Sequence, residues 1–223
     1  MSEIKKQVIE LAHSLESFVV SGEGNVSGKD ENLFVIKASG TNFKTLSESD
    51  LIVCDFTNKQ LDNFDKKPSM EIGFHSWFLN FEHVKFVAHT HPKNVLKIMC
   101  TEYGKLFAKK RLFPDQVVRN GISSCFVPYE TPGNKLNSRI QKAVTKFQLK
   151  HNILPKIILL QNHGLISVGT SIRECQIATE MCEKAAEVFL GALTFNSVKF
   201  LSKSQINDIL NCPMEIYRKN IVQ

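Results

Sequence analysis

Residues 68–92 read PSMEIGFHSWFLNFEHVKFVAHTHP, and they place one acidic side chain and two close histidines around a compact hydrophobic run. Within this segment, residues 84–91 have the period of two that predicts a β-strand. On such a strand His89 and His91 point to the same face, so two imidazoles lie one repeat apart on a rigid support. This spacing can chelate a metal ion, but a lone HxH pair is a weak signal because many histidines are buried or surface polar residues.

Glu71 lies at the start of a second pattern, just before this strand. Apolar and aromatic residues recur through residues 71–79 at roughly helical intervals, which predicts a helix packed beside the strand. Glu71 then lies in the first turn of that helix, and Ser69 or the residues around it would cap the turn. An acidic residue at this place is also favoured by the helix dipole, so a purely structural role for Glu71 stays open.

A third histidine, His163, follows another apolar run. Residues 156–161 contain a short apolar run with two β-branched residues. The pattern breaks at an Asn-His-Gly sequence (residues 162–164), and it resumes over residues 165–168. This predicts that His163 lies at a tight turn or bulge between two strands. Three neutral imidazoles with an exchangeable fourth position are the ligand set of a catalytic zinc site. The predicted metal ligands are His89, His91 and His163.

Two glycine turns near the N-terminus suit an anion. In residues 21–27 the glycines permit a tight backbone and Asn25 adds a side-chain donor, a combination typical of phosphate binding but weak by itself. A second turn at residues 38–40 carries Ser39 and Gly40 directly after a predicted strand.

The other segments predict alternating helices and strands. The predicted helices are residues 2–20, 92–100, 135–151, 171–193 and 201–210, with residues 93–110 largely helical and basic. The predicted strands are residues 32–37, 51–54, 117–118 and 124–127. Residues 212–223 receive no prediction.

Together these residues resemble the class II aldolase/adducin family, which includes fuculose- and rhamnulose-phosphate aldolases, ribulose-phosphate epimerases and methylthioribulose-phosphate dehydratases. The similar segments run from about Gly22 to Gly169 and agree in order and spacing. Within the family, the chain is most similar to the aldolase half of fused rhamnulose-phosphate-aldolase/short-chain-dehydrogenase-like proteins. The segments that carry the resemblance are GEGNVS, KASG, Glu71, His89-Thr90-His91-Pro92, FPDQVV, VPYETPG and Asn162-His163-Gly164.

The resemblance implies a fold that the pattern alone leaves open between α/β and α+β. It implies an α/β protein, namely a three-layer αβα class II aldolase-like domain with a largely antiparallel central sheet. It also implies a homotetramer with active sites at the subunit interfaces.

The resemblance further implies a metal-dependent sugar-phosphate aldolase, a carbon–carbon lyase that cleaves a ketose phosphate through a zinc-stabilised enediolate. Zn²⁺, or another divalent metal, would act as the Lewis acid on the three histidines, and Glu71 would shuttle protons. Family aldolases often have a second serine directly before the glutamate, whereas Met70 stands there in this chain, so one phosphate donor is missing or replaced. The residues that the resemblance assigns to the substrate phosphate are Gly24, Asn25, Ser39, Gly40 and Ser69.

Two alternatives stay open. A sugar-phosphate dehydratase, epimerase or decarboxylase of the same family would use the same metal ligands. A non-catalytic scaffold similar to the adducin head is disfavoured, because such heads lack the full ligand set and all three histidines are present here.

Composition agrees with a single domain over residues 1–223. The chain is 43% hydrophobic, which is enough for a substantial core, and it has no low-complexity tract or visible repeat. The N-terminus is amphipathic and no stretch has the apolar length of a membrane span, so we expect a cytoplasmic protein without a membrane partner. The net charge of +6 is spread along the chain without a DNA-binding motif, so no nucleic-acid partner is expected either.

The remaining histidines and the cysteines receive no functional role. The six cysteines lack CxxC spacing and are predicted to be core thiols. His13, His75, His83 and His151 are interpreted as surface or core residues.

Overall fold

A mixed sheet of seven strands lies at the centre of the computed structural model, which describes residues 2–195 and 197–221. The strand order is β3-β2-β1-β4-β7-β6-β5, and every neighbouring pair is antiparallel except β5 and β6. The predicted, largely antiparallel sheet is therefore confirmed. The strands are β1 Asn25–Asp30, β2 Leu33–Lys37, β3 Leu51–Asp55, β4 Phe86–Thr90, β5 Cys125–Val127, β6 Ile157–Leu160 and β7 Gly164–Gly169.

Helices cover both faces of this sheet and complete the predicted three layers. Helices α2 and α6 pack on one face, and α1, α3 and α7 pack on the other. The helices are α1 Ser2–Ser14, α2 Ile72–Leu79, α3 Lys93–Met99, α4 Gly104–Lys109, α5 Pro114–Asn120, α6 Asn134–His151, α7 Ile172–Leu193, α8 Lys203–Leu210 and α9 Pro213–Ile221.

Strand residues alternate between the two helical layers. In β2, Phe34 and Ile36 pack toward α2, whereas Val35 packs toward α1. In β6, Ile158 packs toward α6 and Ile157 toward α7. Because successive side chains point to opposite faces, a sheet covered on both sides needs apolar residues at almost every position of its inner strands.

Strand β4 positions the histidines because it lies at the middle of the sheet with all five of its residues buried. His89 pairs with Asn25 on β1 and with Ile166 on β7. It lies on the sheet face that α2 covers, where its ring meets Phe74 edge-on at 5.9 Å between centroids. The segment that begins with Glu71 is thereby brought over His89.

The predicted loop over residues 21–27 is wrong beyond residue 24, because β1 begins at Asn25. Gly28 interrupts the apolar pattern and makes the segment a poor strand by local propensity. Pairing with β2 on one side and β4 on the other holds it extended.

The predicted strand at residues 117–118 is also wrong, because these residues lie in α5. Phe113 is extended and Pro114 occupies the first helical turn, which is a favourable helix start. Consecutive valines favour a strand locally, but here Val117 is buried on a helix that packs against α7.

Three helices, α2, α3 and α7, start one residue later than predicted. Glu71 is the N-cap residue of α2 instead of lying in its first turn. Ser69 is not that cap, although its hydroxyl accepts from the Glu71 amide at 3.2 Å and its carbonyl accepts from the Ile72 amide at 3.0 Å. Pro92 is likewise the N-cap of α3 and not its first residue.

Other boundaries differ in extent. The first helix ends at Ser14, and a short 3₁₀ turn at Glu16–Phe18 follows it. The basic segment at residues 93–110 is two helices, α3 and α4, and α9 lies in the C-terminal part that received no prediction.

Four cysteines are buried as expected of core thiols, but Cys100 is exposed and Cys212 is half-buried. The single-domain organisation stays a prediction.

Within residues 2–195 and 197–221, every helix is too short or too polar to cross a lipid bilayer.

Removing the Phe78 ring should destabilise the fold strongly. Phe78 is fully buried in α2 and belongs to the core between α2, α6 and the sheet. Phe78→Ala should lower the free energy of unfolding by about 3–5 kcal/mol through lost burial and a residual cavity, measured by urea denaturation followed by circular dichroism. The control Leu149→Ala, at a side chain that is 85% exposed, should change it by less than about 0.5 kcal/mol. Equal effects from the two variants would contradict this packing.

Candidate active site

The three predicted histidines converge on one point. His89 comes from β4, His91 follows that strand directly, and His163 comes from the turn between β6 and β7. The Nε2 atom of His89 is 3.1 Å from His91 Nε2 and 3.2 Å from His163 Nε2. All three ligand atoms lie within 4.8 Å of one another, so the cluster could hold a metal ion.

Glycine at position 164 permits this convergence. A Cβ atom there would lie 2.4 Å from the Thr90 carbonyl oxygen and 2.7 Å from the His91 ring. No other residue fits without displacing the end of β4. The preceding Asn162 adopts a left-handed conformation with φ of 53°, which turns the chain between the two strands. The Asn-His-Gly turn therefore brings His163 against the other two histidines.

A hydrogen bond at the outer nitrogen of His89 leaves its inner nitrogen without a proton. His89 Nδ1 donates to the Leu165 carbonyl at 2.8 Å, so His89 Nε2 presents a lone pair to the cluster. His91 Nδ1 lies 3.3 Å from Glu23 Oε2, close enough for a charge interaction with that carboxylate.

Burial keeps the imidazoles of His89 and His163 neutral. It lowers the pKa of His89 to about 3 and the pKa of His163 to about 4, and the neighbouring histidines add to both shifts. The Nε2 lone pair of His89 faces the Nε2 atoms of His91 and His163 at 3.1 and 3.2 Å. Three imidazole nitrogens that converge on one point fit a divalent cation.

Glu71 lies directly beside the histidine cluster and is only 7% exposed. Its Oε2 is 3.4 Å from His89 Nε2 and accepts a hydrogen bond from Asn25 Nδ2 at 2.9 Å. Its Oε1 is 3.6 Å from His163 Nε2 and is buried without a hydrogen-bond partner among the described residues. A buried carboxylate oxygen without a donor is costly for the fold. It is available to accept a proton or to contact a cation.

The predicted anion-binding residues line the same cavity as the histidines and Glu71, and this cavity has a volume of about 230 Å³. Ser69 accepts hydrogen bonds from Asn25 Nδ2 at 3.1 Å and from the Glu71 amide at 3.2 Å, which leaves its own hydroxyl hydrogen free to donate. The structure thus brings together every residue that the sequence predicted for the site. The cavity is lined by Gly22, Gly24, Asn25, Lys37, Ser39, Gly40, Ser69, Met70, Glu71, His89, His91, Pro132 and His163.

Lys37 is a site residue that the sequence analysis missed. It ends β2, is only 1% exposed and lines the cavity beside Ser39 and Gly40. Its ammonium group donates to the carbonyl oxygens of Thr41 at 2.7 Å and Ala38 at 3.2 Å, and burial lowers its pKa to about 8. The available signal was a lysine that ends an otherwise apolar strand. It supplies positive charge to the wall that we expect to bind an anion.

His75 was also missed, since it was interpreted only as a surface or core residue. It is fully buried and hydrogen-bonds both Ser27 and Asn25.

Comparison with known proteins identifies a matching family. The sequence-family model of the Class II Aldolase and Adducin N-terminal domain matches residues 7–190 of this chain. An L-fuculose phosphate aldolase of Methanococcus vannielii is 28% identical over 186 residues, which cover 82% of this chain and 93% of that protein. A 3-oxo-tetronate 4-phosphate decarboxylase of Haemophilus influenzae is 26% identical over 212 residues, which cover 93% of this chain and 96% of that protein.

The fold agrees with a solved structure of L-fuculose 1-phosphate aldolase. That structure superposes with a TM-score of 0.79 at 20% sequence identity, over 94% of this chain and 95% of the other. The closer likeness to fused aldolase/dehydrogenase proteins stays a prediction.

The buried neutral histidines should make the metal-free protein sensitive to acid. Unfolded chains take up protons on histidine near pH 6.5, whereas the folded protein keeps His89 and His163 neutral down to about pH 3 and 4. The free energy of unfolding should therefore fall as the pH drops below 6.5, by up to about 1.4 kcal/mol per pH unit for each such histidine. Urea denaturation of chelator-treated protein between pH 7 and pH 5 measures this.

His89→Phe should reduce the slope of the unfolding free energy against pH by up to the contribution of one proton, about 1.4 kcal/mol per pH unit. Phe78→Ala removes no ionisable group, so it should lower the whole curve and keep the wild-type slope. An unchanged slope in His89→Phe would show that His89 is protonated in the folded protein.

Proposed function

Because this chain belongs to the class II aldolase and adducin family, we propose that it is a metal-dependent sugar-phosphate aldolase that cleaves a ketose phosphate. The observation that carries the proposal is that a single small cavity holds both a three-histidine cluster with a carboxylate and a wall suited to an anion. Such a cavity suits a small substrate with a phosphate at one end and a reacting carbonyl at the other.

The anion-binding wall would hold the phosphate group. Two hydrogen-bond donors fix the Ser69 side chain in place, and its hydroxyl hydrogen stays free to donate to the phosphate. Gly40 has φ of 77°, which shapes the turn at residues 38–40 so that Ser39 and the backbone border the cavity. Lys37 adds positive charge to this wall. This charge offsets the donor lost where Met70 stands in place of a second serine.

The histidine cluster would hold a divalent cation, which we propose to be zinc. When bound, the cation would supply a Lewis acid that polarises the substrate carbonyl. His89, His91 and His163 orient their Nε2 atoms toward it, and the bond to Leu165 fixes the ring of His89.

Glu71 would move the proton. Glu71 lines the cavity, its Oε2 is held by Asn25, and its Oε1 has no hydrogen-bond partner among the described residues. The carboxylate can take a proton from the substrate at Oε1 and return it later without leaving its place.

Decarboxylation is the second candidate, and the relative named 3-oxo-tetronate 4-phosphate decarboxylase favours it over dehydration and epimerisation. It would use the same cluster and the same anion wall. The product distinguishes the two reactions, since an aldolase releases a triose phosphate and an aldehyde or ketone, whereas a decarboxylase releases carbon dioxide. A non-catalytic scaffold does not account for the buried, unpartnered Glu71 oxygen. The homotetramer, the cytoplasmic location and the expectation of no nucleic-acid or membrane partner stay predictions.

Removing a histidine should release the metal without unfolding the protein. His163→Ala should reduce bound zinc to a small fraction of the wild-type content, because a catalytic site is added to a fold that its core already holds. Metal quantitation of protein purified without chelator measures this, and circular dichroism checks the fold. The control His83→Ala changes an exposed histidine outside the cavity and should keep the wild-type metal content. Wild-type metal content in His163→Ala would refute the ligand assignment.

Replacing the carboxylate of Glu71 should slow turnover while the metal stays bound. Glu71→Gln keeps the size of the side chain but removes its basicity, so kcat should fall by on the order of a hundred- to ten-thousandfold. The assay runs dihydroxyacetone phosphate with lactaldehyde or glycolaldehyde, and a panel of ketose 1- and 5-phosphates in the cleavage direction. Full turnover in Glu71→Gln would exclude the proton-transfer role. Zinc-loaded wild-type protein that turns over nothing in the panel would refute the aldolase and favour the decarboxylase.

A further inference from the structure

His75 connects the two halves of the site although it lines no part of the cavity. It lies in α2, is fully buried, and stacks on Phe74 at 4.7 Å between ring centroids. Both of its ring nitrogens contact side chains of β1: Nδ1 lies 2.6 Å from Ser27 Oγ, and Nε2 is hydrogen-bonded to Asn25 Oδ1. Burial lowers its pKa well below the usual value, and the neighbouring His89 adds to the shift. The ring is therefore neutral and carries one proton.

The charge of Glu71 fixes which way the Asn25 amide points. A carboxylate oxygen only accepts hydrogen bonds, so the Asn25 group 2.9 Å from Glu71 Oε2 is the NH₂ group. Its second hydrogen goes to Ser69 Oγ at 3.1 Å. The carbonyl oxygen of the same amide then faces His75.

The same reasoning fixes the proton on His75. The Asn25 carbonyl oxygen only accepts, so His75 Nε2 must carry the hydrogen and Nδ1 must accept from the Ser27 hydroxyl. Hydrogen bonds then run in one direction, from Ser27 to His75, from His75 to Asn25, and from Asn25 to both Glu71 and Ser69.

We propose that His75 is a positioning residue whose Nε2–H holds the Asn25 amide so that its two hydrogens stay on Glu71 and Ser69. The proposal rests on the proposed function, in which Glu71 moves the proton and Ser69 binds the phosphate. Without the Nε2–H donor, the Asn25 oxygen is buried with no partner, and a flipped amide would direct that oxygen at the Glu71 carboxylate. One hydrogen bond outside the cavity thus fixes the positions of the Glu71 carboxylate and the Ser69 hydroxyl relative to each other.

The alternative is that His75 only fills the core beside Phe74. A core role depends on the volume of the ring and not on the position of its proton. The two roles therefore differ in what they predict for the tautomer and for side chains that replace one ring nitrogen at a time.

The tautomer can be read directly from the wild-type chain. In ¹⁵N-histidine-labelled, zinc-loaded protein, long-range ¹⁵N–¹H correlation spectra should show His75 as the neutral Nε2–H form, assigned by the loss of its signals in His75→Gln. An Nδ1–H form, or a mixture of the two, would overturn the proposal. This measurement requires no turnover, so it decides the matter even if the proposed aldolase activity is not found.

Two amide variants separate the ring nitrogens. A glutamine at position 75 can extend an NH₂ group to the place of Nε2, whereas an asparagine reaches only the place of Nδ1. We expect His75→Asn to lower kcat and to raise KM for the phosphorylated substrate, with kcat/KM reduced by about tenfold or more. His75→Gln should recover most of that loss. Equal activity of the two variants would contradict the proposal.

A double-mutant cycle tests whether His75 acts through Asn25. In an Asn25→Ala background, His75→Asn should cause little further loss, within about twofold, because the group through which it acts is already absent. The control Phe78→Leu changes another buried ring of α2, and its effect should multiply with that of Asn25→Ala. A full additional loss from His75→Asn in the Asn25→Ala background would refute the coupling.

Phosphate affinity is a second measurement of the positioning role, and it does not require a known substrate. The affinity of each zinc-loaded variant for inorganic phosphate, measured by calorimetry, should fall in His75→Asn and recover in His75→Gln. Circular dichroism establishes that each variant is folded before it is compared. If the wild type binds phosphate and shows the Nε2–H tautomer but cleaves no ketose phosphate, the proposed reaction fails while the positioning role stands.

Discussion

The Nε2 atom of His89 lies about 3 Å from the Nε2 atoms of both His91 and His163, and the rest of the site is arranged around this contact. Backbone pairing holds the three rings together. His89 lies in the central strand with neighbours on both sides, and Gly164 lets the turn that carries His163 close against the end of that strand. A ligand set that the backbone holds in place is preorganised for a cation.

Strand β1 joins the histidine cluster to the part of the cavity that holds Ser69. Its first residue, Asn25, lies opposite His89 in the sheet and bonds to Glu71 and Ser69 across the sheet face. Its third residue, Ser27, meets His75 on the same face because side chains alternate along a strand. The strand therefore helps to set the distance between the Glu71 carboxylate beside the histidines and the Ser69 hydroxyl. The local sequence of β1 does not favour a strand, so β1 depends on pairing with β2 and β4 on its two sides.

The sequence predicted the features that depend on short-range periodicity. A period of two places His89 and His91 on one face, and the break at residues 162–164 marks the turn with His163. Lys37 and His75 could not be found this way, because their positions matter only once β1, β2 and α2 have come together. The same limit accounts for β1, which pairing rather than propensity holds extended, and for residues 117–118, where two valines resemble a strand but Pro114 starts a helix. The residues of the site were predictable, whereas the hydrogen bonds that orient them were not.

The separation of His89 and His163 by 74 residues has a consequence for how the protein matures. Bringing two such distant residues of an unfolded chain together costs loop-closure entropy, and this cost is larger than for the short loop of a hairpin. An unfolded chain therefore keeps only the nearby pair, His89 and His91, close together, and the three-histidine cluster exists only where β4 and β7 have paired. A metal ion held by all three histidines would bind the folded chain alone and would stabilise it by mass action.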